Sequence, residues 1–271
     1  MVAEGPDRTA VTGFFDADAP NWDSVYRRAD VFGIIHQLRR EICLRWVAER
    51  APLGAALEVG CGTGQTAILM DSLGHYVTAT DSAPEMLKRA AANTRAAGAG
   101  GRIRLQQADA HALPFPDGTF DLVVALGVIP WLEQPATGVA EMARVLAPGG
   151  LLVVNCDNRH RLQVLLDPRY SPAFRRLREA IRPPHRAGSL ANVPGAVRHS
   201  PAEFDALLTR CGLLVERRSG FGFGPFTLGG RPLLPDRMGV WLHHVLQRLA
   251  DFGFRPAART GSQYMVLARR P

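Results

Sequence analysis

The chain has 271 residues, 46% of them hydrophobic and 21% charged, with a formal net charge of +7. This is the length and balance of one large globular α/β domain with additions, and no apolar run reaches the roughly 20 residues that a membrane-spanning helix needs. The charge is uneven: residues 1–158 hold 13 basic and 18 acidic side chains, whereas residues 159–271 hold 19 and 7.

Met1 to Arg8 lack the basic start and apolar stretch of a secretory signal, so a cytoplasmic protein is expected. From Asp23 to Glu49 apolar residues recur at helical spacing, which predicts one or two helices before the first strand. Ala55 to Val59 reads as a strand ending in glycines, and Gln65 to Leu73 resumes a helical pattern. The alternation then repeats. Tyr76–Thr80 is a strand, Pro84–Ala97 an alanine-rich helix stopped by Gly98, and Ile103–Gln107 a strand. Phe120–Gly127 is a buried strand, Ala136–Leu146 a helix closed by Pro148-Gly149-Gly150, and Leu151–Asn155 another strand. Strands alternating with helices imply a parallel sheet with crossover connections.

Beyond Cys156 the pattern breaks. Residues 158–200 are rich in arginine and proline and read as an insertion with a helical stretch over Ser171–Ile181. Ser200-Pro201-Ala202-Glu203 is a capping box opening a helix that runs to Cys211-Gly212. Leu213–Arg217 reads as a strand, Gly220–Pro235 as irregular and aromatic, Asp236–Leu249 as an amphipathic helix and Gln263–Ala268 as a last strand. Cys43, Cys61, Cys156 and Cys211 show no metal or disulfide spacing, so reduced thiols and no metal are expected.

The loop Gly60-Cys61-Gly62-Thr63-Gly64 follows a strand and opens a helix, where glycines let a ligand approach the backbone. A dinucleotide site would place its third glycine three residues after the second, but position 65 is Gln. Glu58, two residues before the loop, is unfavourable beside a phosphate and suits a ligand bearing an ammonium group. Asp81 ends the next strand about 20 residues on, at the spacing of an acid that accepts ribose hydroxyls. It, or Ser82, can equally cap the helix that begins near Pro84. Asp109-Ala110 follows the third strand, where Asp109 either accepts an adenine amino group or is an ordinary loop acid.

Five ordered stretches carry a resemblance to the class I S-adenosylmethionine-dependent methyltransferases. They are Leu57-Glu58-Val59-Gly60-Cys61-Gly62-Thr63-Gly64, Thr80-Asp81-Ser82-Ala83-Pro84-Glu85-Met86-Leu87, Asp109-Ala110-His111-Ala112-Leu113-Pro114-Phe115-Pro116-Asp117, Phe120-Asp121-Leu122-Val123-Val124, and residues 141–150 ending in Pro148-Gly149-Gly150. The chain most resembles the small-molecule, quinone-biosynthesis-like group. The resemblance implies a Rossmann-like, seven-stranded, mostly parallel sheet with helices on both faces. A helical lid over residues 1–54 would precede a core over 55–271 carrying insertions at about 158–200 and 220–260. It implies S-adenosylmethionine as cofactor. Glu58 with Gly60, Cys61, Gly62 and Gly64 would hold its methionine end, Asp81 and Ser82 the ribose region, and Asp109 and Ala110 the adenine. Met86 would flank the adenine ring, and Ala125 and Leu126 would lie along the methionine moiety. The leading segment, with Phe14-Phe15-Asp16 and Trp22-Asp23-Ser24-Val25-Tyr26, resembles the lid of such enzymes. Tyr26 there is either a cofactor contact or a core aromatic.

Pro130-Trp131 stands where many quinone-pathway relatives carry His-His or His-Tyr, which removes a familiar base. A sulfonium methyl is already activated, so aligning the reactants and excluding water is the main task. If a base assists, His111, His160, His185 and His199 are candidates, with His185 and His199 preferred as catalytic residues. The expected acceptor is a small, partly apolar metabolite methylated on oxygen, nitrogen or carbon. Phe221, Phe223, Phe226 and Leu228 would supply a mobile apolar cover or a packed strand edge.

Two alternatives follow. One is a membrane-borne isoprenoid or lipid substrate, met by a peripheral membrane contact of the basic second half; the other is a non-methylating, cyclase-like use of the cofactor. No nucleic-acid partner is expected, because no base-flipping motif or appended binding fold is present. The basic residues are arginine throughout except Lys88, a skew equally compatible with codon bias, and Arg175, Arg176, Arg178, Arg182 and Arg186 read as a solvated face. The oligomeric state is left open by the sequence.

Overall fold

The computed structural model of the chain describes residues 5–99, 101–162, 196–228 and 231–271. Two helices lead, α1 (Arg8–Val25) and α2 (Val31–Arg50). There follow β1 (Ala55–Val59), α3 (Gln65–Ser72), β2 (Tyr76–Asp81), α4 (Pro84–Ala96), β3 (Ile103–Gln107), β4 (Phe120–Ala125), α5 (Pro135–Val145) and β5 (Leu146–Asn158). The remaining described elements are β6 (Arg198–His199), α6 (Pro201–Arg210), β7 (Leu214–Phe221), β8 (Thr227–Leu228), β9 (Arg231–Pro232), α7 (Asp236–Asp251), α8 (Arg255–Thr260) and β10 (Gln263–Arg269).

The main sheet runs β3-β2-β1-β4-β5-β10-β7, with β6 added beside the end of β5. The first five strands are parallel, and β10 lies antiparallel between β5 and β7. Alternate residues of each strand enter opposite cores. Leu57, Val123, Leu152 and Val266 pack with α5 and α6, whereas Ala56, Leu122, Val153 and Met265 pack with α2 and α3. Burial on both faces explains why these strands are continuously apolar rather than alternating, and it requires helices on both sides. The strand order reverses between β1 and β4, where the carboxyl ends of parallel strands leave a crevice.

The structure departs from the sequence reading in several elements. Helix α1 begins at Arg8, capped by Asp7, whose carboxylate accepts from the Ala10 amide at 2.9 Å. The expected helix start at Asp23 instead falls near its end, and the chain breaks before Asp30, which caps α2 through Gly33. Strand β5 starts at Leu146, so Pro148-Gly149-Gly150 lies within it, and the pairing with β4 shifts register between Phe120 and Leu122. Strand β6 and helix α8 carry no sequence signal; each is short and is fixed by packing. The Ser200–Glu203 capping box forms as the sequence implies, each partner bonding the other's backbone N–H.

Phe221, Phe223 and Phe226 do not line the cavity at this crevice, and the side chain of Leu228 lies outside the described residues. The three phenylalanines are buried, Phe221 in the α2-side core and the other two against α7 and α8, so the packed alternative holds for them. Ser171–Ile181, the arginines at 175–186 and His185 lie outside the described residues. Among the described residues, no helix is long and apolar enough to cross a membrane.

Candidate active site

A cavity of about 1250 Å³ opens at the carboxyl ends of β1, β2, β4 and β5, roofed by α1 and α2. Of the residues singled out in the sequence, Tyr26, Glu58, Gly60, Cys61, Gly62, Asp81, Ser82, Met86, Asp109, Ala110 and Leu126 line it.

Glu58 closes β1 and is 3% exposed. It accepts hydrogen bonds from the Thr66 hydroxyl and the Ala67 amide, while its Oε2 has no partner. Burial pushes its carboxyl up to about 8, and the neighbouring Asp81 adds to the rise. A buried acceptor left without a donor is costly, so the site favours a cationic donor there. On the roof, Arg39 of α2 is 6% exposed and its Nε also lacks a partner. A Cβ built on Gly127 would lie 2.5 Å from Arg39 Nη1, which places the guanidinium over the end of β4. An orphaned carboxylate and an orphaned guanidinium facing one cavity match the ammonium and carboxylate of a free amino-acid moiety.

The loop between β1 and α3 is held by its glycines. Gly60 has φ +68° and an added Cβ would meet Val128 Cγ2 at 2.4 Å, whereas Gly62 at φ +53° faces open space. Gly64 does not line the cavity; it packs against Ala90, whose Cβ would lie 3.0 Å from an added Cβ. Its glycine therefore serves the α3–α4 contact. Ala125 is fully buried in the α5-side core and also lies off the cavity wall.

Asp81 Oδ2 accepts from the Gly62 amide at 2.8 Å and Oδ1 from the Ala83 amide at 2.9 Å. It thus ties the loop to the start of α4, and each oxygen keeps a further lone pair for a hydroxyl ligand. Ser82 meets the Thr12 hydroxyl of α1 at 3.3 Å. Met86, 2% exposed, packs with Ala19, Phe15 and Trp22. Asp109 accepts from His111 at 2.7 Å and from Arg8 at 2.9 Å, and Arg8 also bonds Glu133, so α1 is latched across this end of the cavity.

The histidines separate clearly. His111 lines the cavity, but both ring nitrogens are engaged: Nδ1 donates to Asp109 and Nε2 accepts from the Gln134 amide at 3.2 Å. His160 is exposed and off the cavity. His199 is buried against Phe204, 5.7 Å between ring centroids, and is not part of the lining. The reason is strand alternation: its neighbour Arg198 faces the cavity, so His199 faces the other side. Burial lowers its basicity.

The sequence reading overlooked His36 and Arg39, which share a face of α2 at i,i+3 and both line the cavity. Their polar character on an otherwise apolar stripe was the available signal. His36 Nδ1 donates to the Phe32 carbonyl at 2.8 Å, and burial holds the ring neutral by lowering its pKa to about 3. Phe15, Trp22, Phe32 and Trp131 supply an aromatic wall around it. Trp22 meets His36 edge-on at 5.6 Å and Phe15 meets Trp131 at 5.4 Å.

The family profile of the methyltransferase domain matches residues 57–154. A ubiquinone biosynthesis O-methyltransferase of Xanthomonas euvesicatoria pv. vesicatoria is 30% identical over 190 residues, covering 68% of this chain and 73% of that protein. A demethylmenaquinone methyltransferase of Thermus thermophilus is 38% identical over 143 residues, covering 52% of this chain and 62% of its own length. Among solved structures, the fold is similar to magnesium protoporphyrin IX methyltransferase from Synechocystis, with TM-score 0.66 and 17% identity over 98% of this chain and 100% of the other. It is also similar to the cyclase SpnF, with TM-score 0.63 and 20% identity over 100% and 98%.

Proposed function

The chain belongs to the class I S-adenosylmethionine-dependent methyltransferases, and from that premise we propose that it methylates oxygen, nitrogen or carbon of a small, partly apolar metabolite. The observation that carries this reading is the pairing of Glu58 Oε2 and Arg39 Nε, both buried and unpartnered, at one side of a cavity whose other side is aromatic. When bound, S-adenosylmethionine supplies an activated methyl on a sulfonium. Glu58 and Arg39 hold its amino-acid end, Asp81 the ribose hydroxyls, and Met86 with Asp109 and Ala110 the adenine. Helices α1 and α2 roof this cavity, and Phe15, Trp22, Phe32 and Trp131 are placed to orient a flat acceptor body. The quinone-pathway names of the relatives fit such an acceptor.

Among the described residues, no histidine is placed as a strong base. His111 has both nitrogens occupied, and His36 offers a neutral acceptor nitrogen of low basicity. The acceptor is therefore expected to be acidic enough, or nucleophilic enough, to react with alignment alone. The test is transfer of labelled methyl from S-adenosylmethionine to a panel of hydroquinones, catechols and aromatic acids. Labelled product supports the reading. Tight cofactor binding with no labelled product from acceptors that bind the cavity would overturn it in favour of a non-methylating role.

A second reading, a membrane-borne isoprenoid or lipid acceptor, is favoured by an exposed apolar ridge. Met238, Trp241, Leu249, Phe252 and Phe254 are 41% to 89% exposed along and beyond α7, with Arg237, Arg248 and Arg255 beside them. Apolar side chains flanked by arginine suit the interface of an anionic bilayer. Co-flotation with phosphatidylglycerol vesicles, lost in Trp241→Glu with Phe252→Glu, would support it; no flotation of the wild type would remove it.

A further inference from the structure

A second arginine with a buried, unpartnered Nε, Arg198, faces the same cavity. Strand β6 pairs with the end of β5 so that Arg198 lies beside Asp157, and Gln263 of β10 lies beside Asp157 on the other side. Residues in register project from the same face of a sheet. Arg198, Asp157 and Gln263 accordingly form one row, and all three line the cavity.

The row is not a closed ion pair. Arg198 Nε is buried without a partner, and among the described residues its side chain makes no hydrogen bond or ion pair. Asp157 is approached by Arg161 at 4.0 Å, from one helical turn further along the chain. Gln263 Oε1 is already taken by the Asn155 amide at 3.0 Å, and Asn155 Oδ1 in turn accepts from Gly127. Asp157 feels the charges of Arg161, Arg198 and Arg39, so it gives Arg198 a charged neighbour but no hydrogen bond. A cofactor carboxylate would meet one of the cavity's arginines. Arg39, over the end of β4 and within the electrostatic reach of Glu58, is the one placed for it.

We propose that Arg198 recognises an oxyanion on the methyl acceptor, so that the preferred acceptors are aromatic or apolar molecules carrying a carboxylate or phosphate. The inference rests on the methyltransferase reading for the identity of the other ligand. Its physical basis is the cost of a buried guanidinium N–H without a hydrogen-bond acceptor, and the fit of the guanidinium fork to an oxyanion. Asp157 and Gln263 keep the row from being satisfied by any anion of any shape. Asp157 repels an anion that approaches it directly, and this limits binding to a geometry centred on Arg198.

The test uses the full chain saturated with S-adenosylhomocysteine and reads quenching of Trp22 and Trp131 fluorescence. The probes are 2-naphthoate, 2-naphthyl phosphate and the neutral 2-naphthalenemethanol. The wild type is expected to bind one of the two anions at least about tenfold more tightly than the alcohol, and whichever anion is preferred identifies carboxylate or phosphate as the group read. In Arg198→Gln the preference falls to within twofold while binding of the alcohol and of S-adenosylhomocysteine is unchanged; Arg198→Lys keeps part of it. Equal binding of anions and alcohol by the wild type, or a preference that survives in Arg198→Gln, overturns the proposal. If Arg198→Gln does not fold, Arg198→Lys decides: an undiminished preference for the anion then contradicts a fork-specific contact. Failure of the wild type to bind S-adenosylhomocysteine would instead refute the cofactor reading, and the two failures are distinguishable.

Discussion

The two ends of the cavity are opposite in charge and in construction. At the cofactor end, Glu58, Asp81 and Asp109 sit at the ends of β1, β2 and β3, or just beyond, each held by backbone amides of the next few residues or of a neighbouring loop. At the other end, Asp157, Arg198 and Gln263 come from β5, β6 and β10, with Arg39 of α2 reaching both ends, and the Nε atoms of Arg39 and Arg198 have no partner. An acidic end built from local turns selects ammonium and hydroxyl groups. A basic end assembled across the fold leaves cations that a ligand must answer. One cavity thereby separates a fixed ligand from a variable one.

The sharpest way to break this contrast is Glu58→Gln. Loss of a charge-assisted contact of about 1.5–3 kcal/mol should weaken S-adenosylhomocysteine binding roughly 10- to 150-fold by calorimetry, while the naphthoate preference persists. The same residue imposes a pH dependence. In the folded chain its pKa is raised to about 8 from the ordinary carboxylate value of 4.5, so its contribution to ligand-free stability is complete below 4.5 and is lost as pH rises towards 8. The melting temperature of the free wild type should fall across that window more than that of Glu58→Gln. Cofactor affinity should rise across it, because the ammonium ligand requires the ionised carboxylate. A pH-independent affinity would show that Glu58 does not meet the ammonium.

Gly60→Ala should follow in size. Its positive φ and the 2.4 Å approach of Val128 make any side chain strained, with an expected loss of about 1–2 kcal/mol in stability and roughly tenfold in cofactor affinity. Trp131→Ala removes ring contacts to Phe14 and Phe15 at 6.4 and 5.4 Å. It should raise the KM for an aromatic acceptor about fivefold and leave cofactor affinity within twofold, in line with about 0.5–1.5 kcal/mol for an aromatic pair. Arg8→Ala should have the smallest effect. Its bonds to Asp109 and Glu133 are solvent-exposed, so a change in cofactor affinity within threefold, shrinking further in high salt, is expected by titration.

The same contrast explains what could be read in the sequence. The residues of the acidic end are legible because each lies at or just beyond the carboxyl end of a strand, with Glu58 and Asp81 also preceding a helix, so position in the local pattern is position in the site. Gly64 and Ala125 show the limit of that reasoning. Both belong to the motif, yet one serves helix packing and the other the core. The basic end is illegible in sequence because it depends on which strands become neighbours. Nothing in Arg198-His199 announces a two-residue strand, and without its register the wrong member of the pair, His199, attracts attention. The bounds of helix α1, within the expected helical lid, are hard to read for a related reason: Pro20 and scattered aspartates obscure its periodicity, and it is held by Asp7 and by contacts to α4 such as Asp16 to the Glu85 amide. The central parallel strands β1 and β4, buried on both faces, are the most legible elements, whereas the edge strand β3 is only partly buried.

The proposed cofactor lies with its amino-acid end between Glu58 and Arg39. A crystal structure of the protein with S-adenosylhomocysteine tests this directly. The ligand's ammonium should lie within hydrogen-bond distance of Glu58 Oε2, its carboxylate should meet Arg39, and its ribose hydroxyls should meet Asp81. A ligand bound with Glu58 Oε2 still unpartnered, or with its carboxylate on Arg198 instead of Arg39, would contradict it.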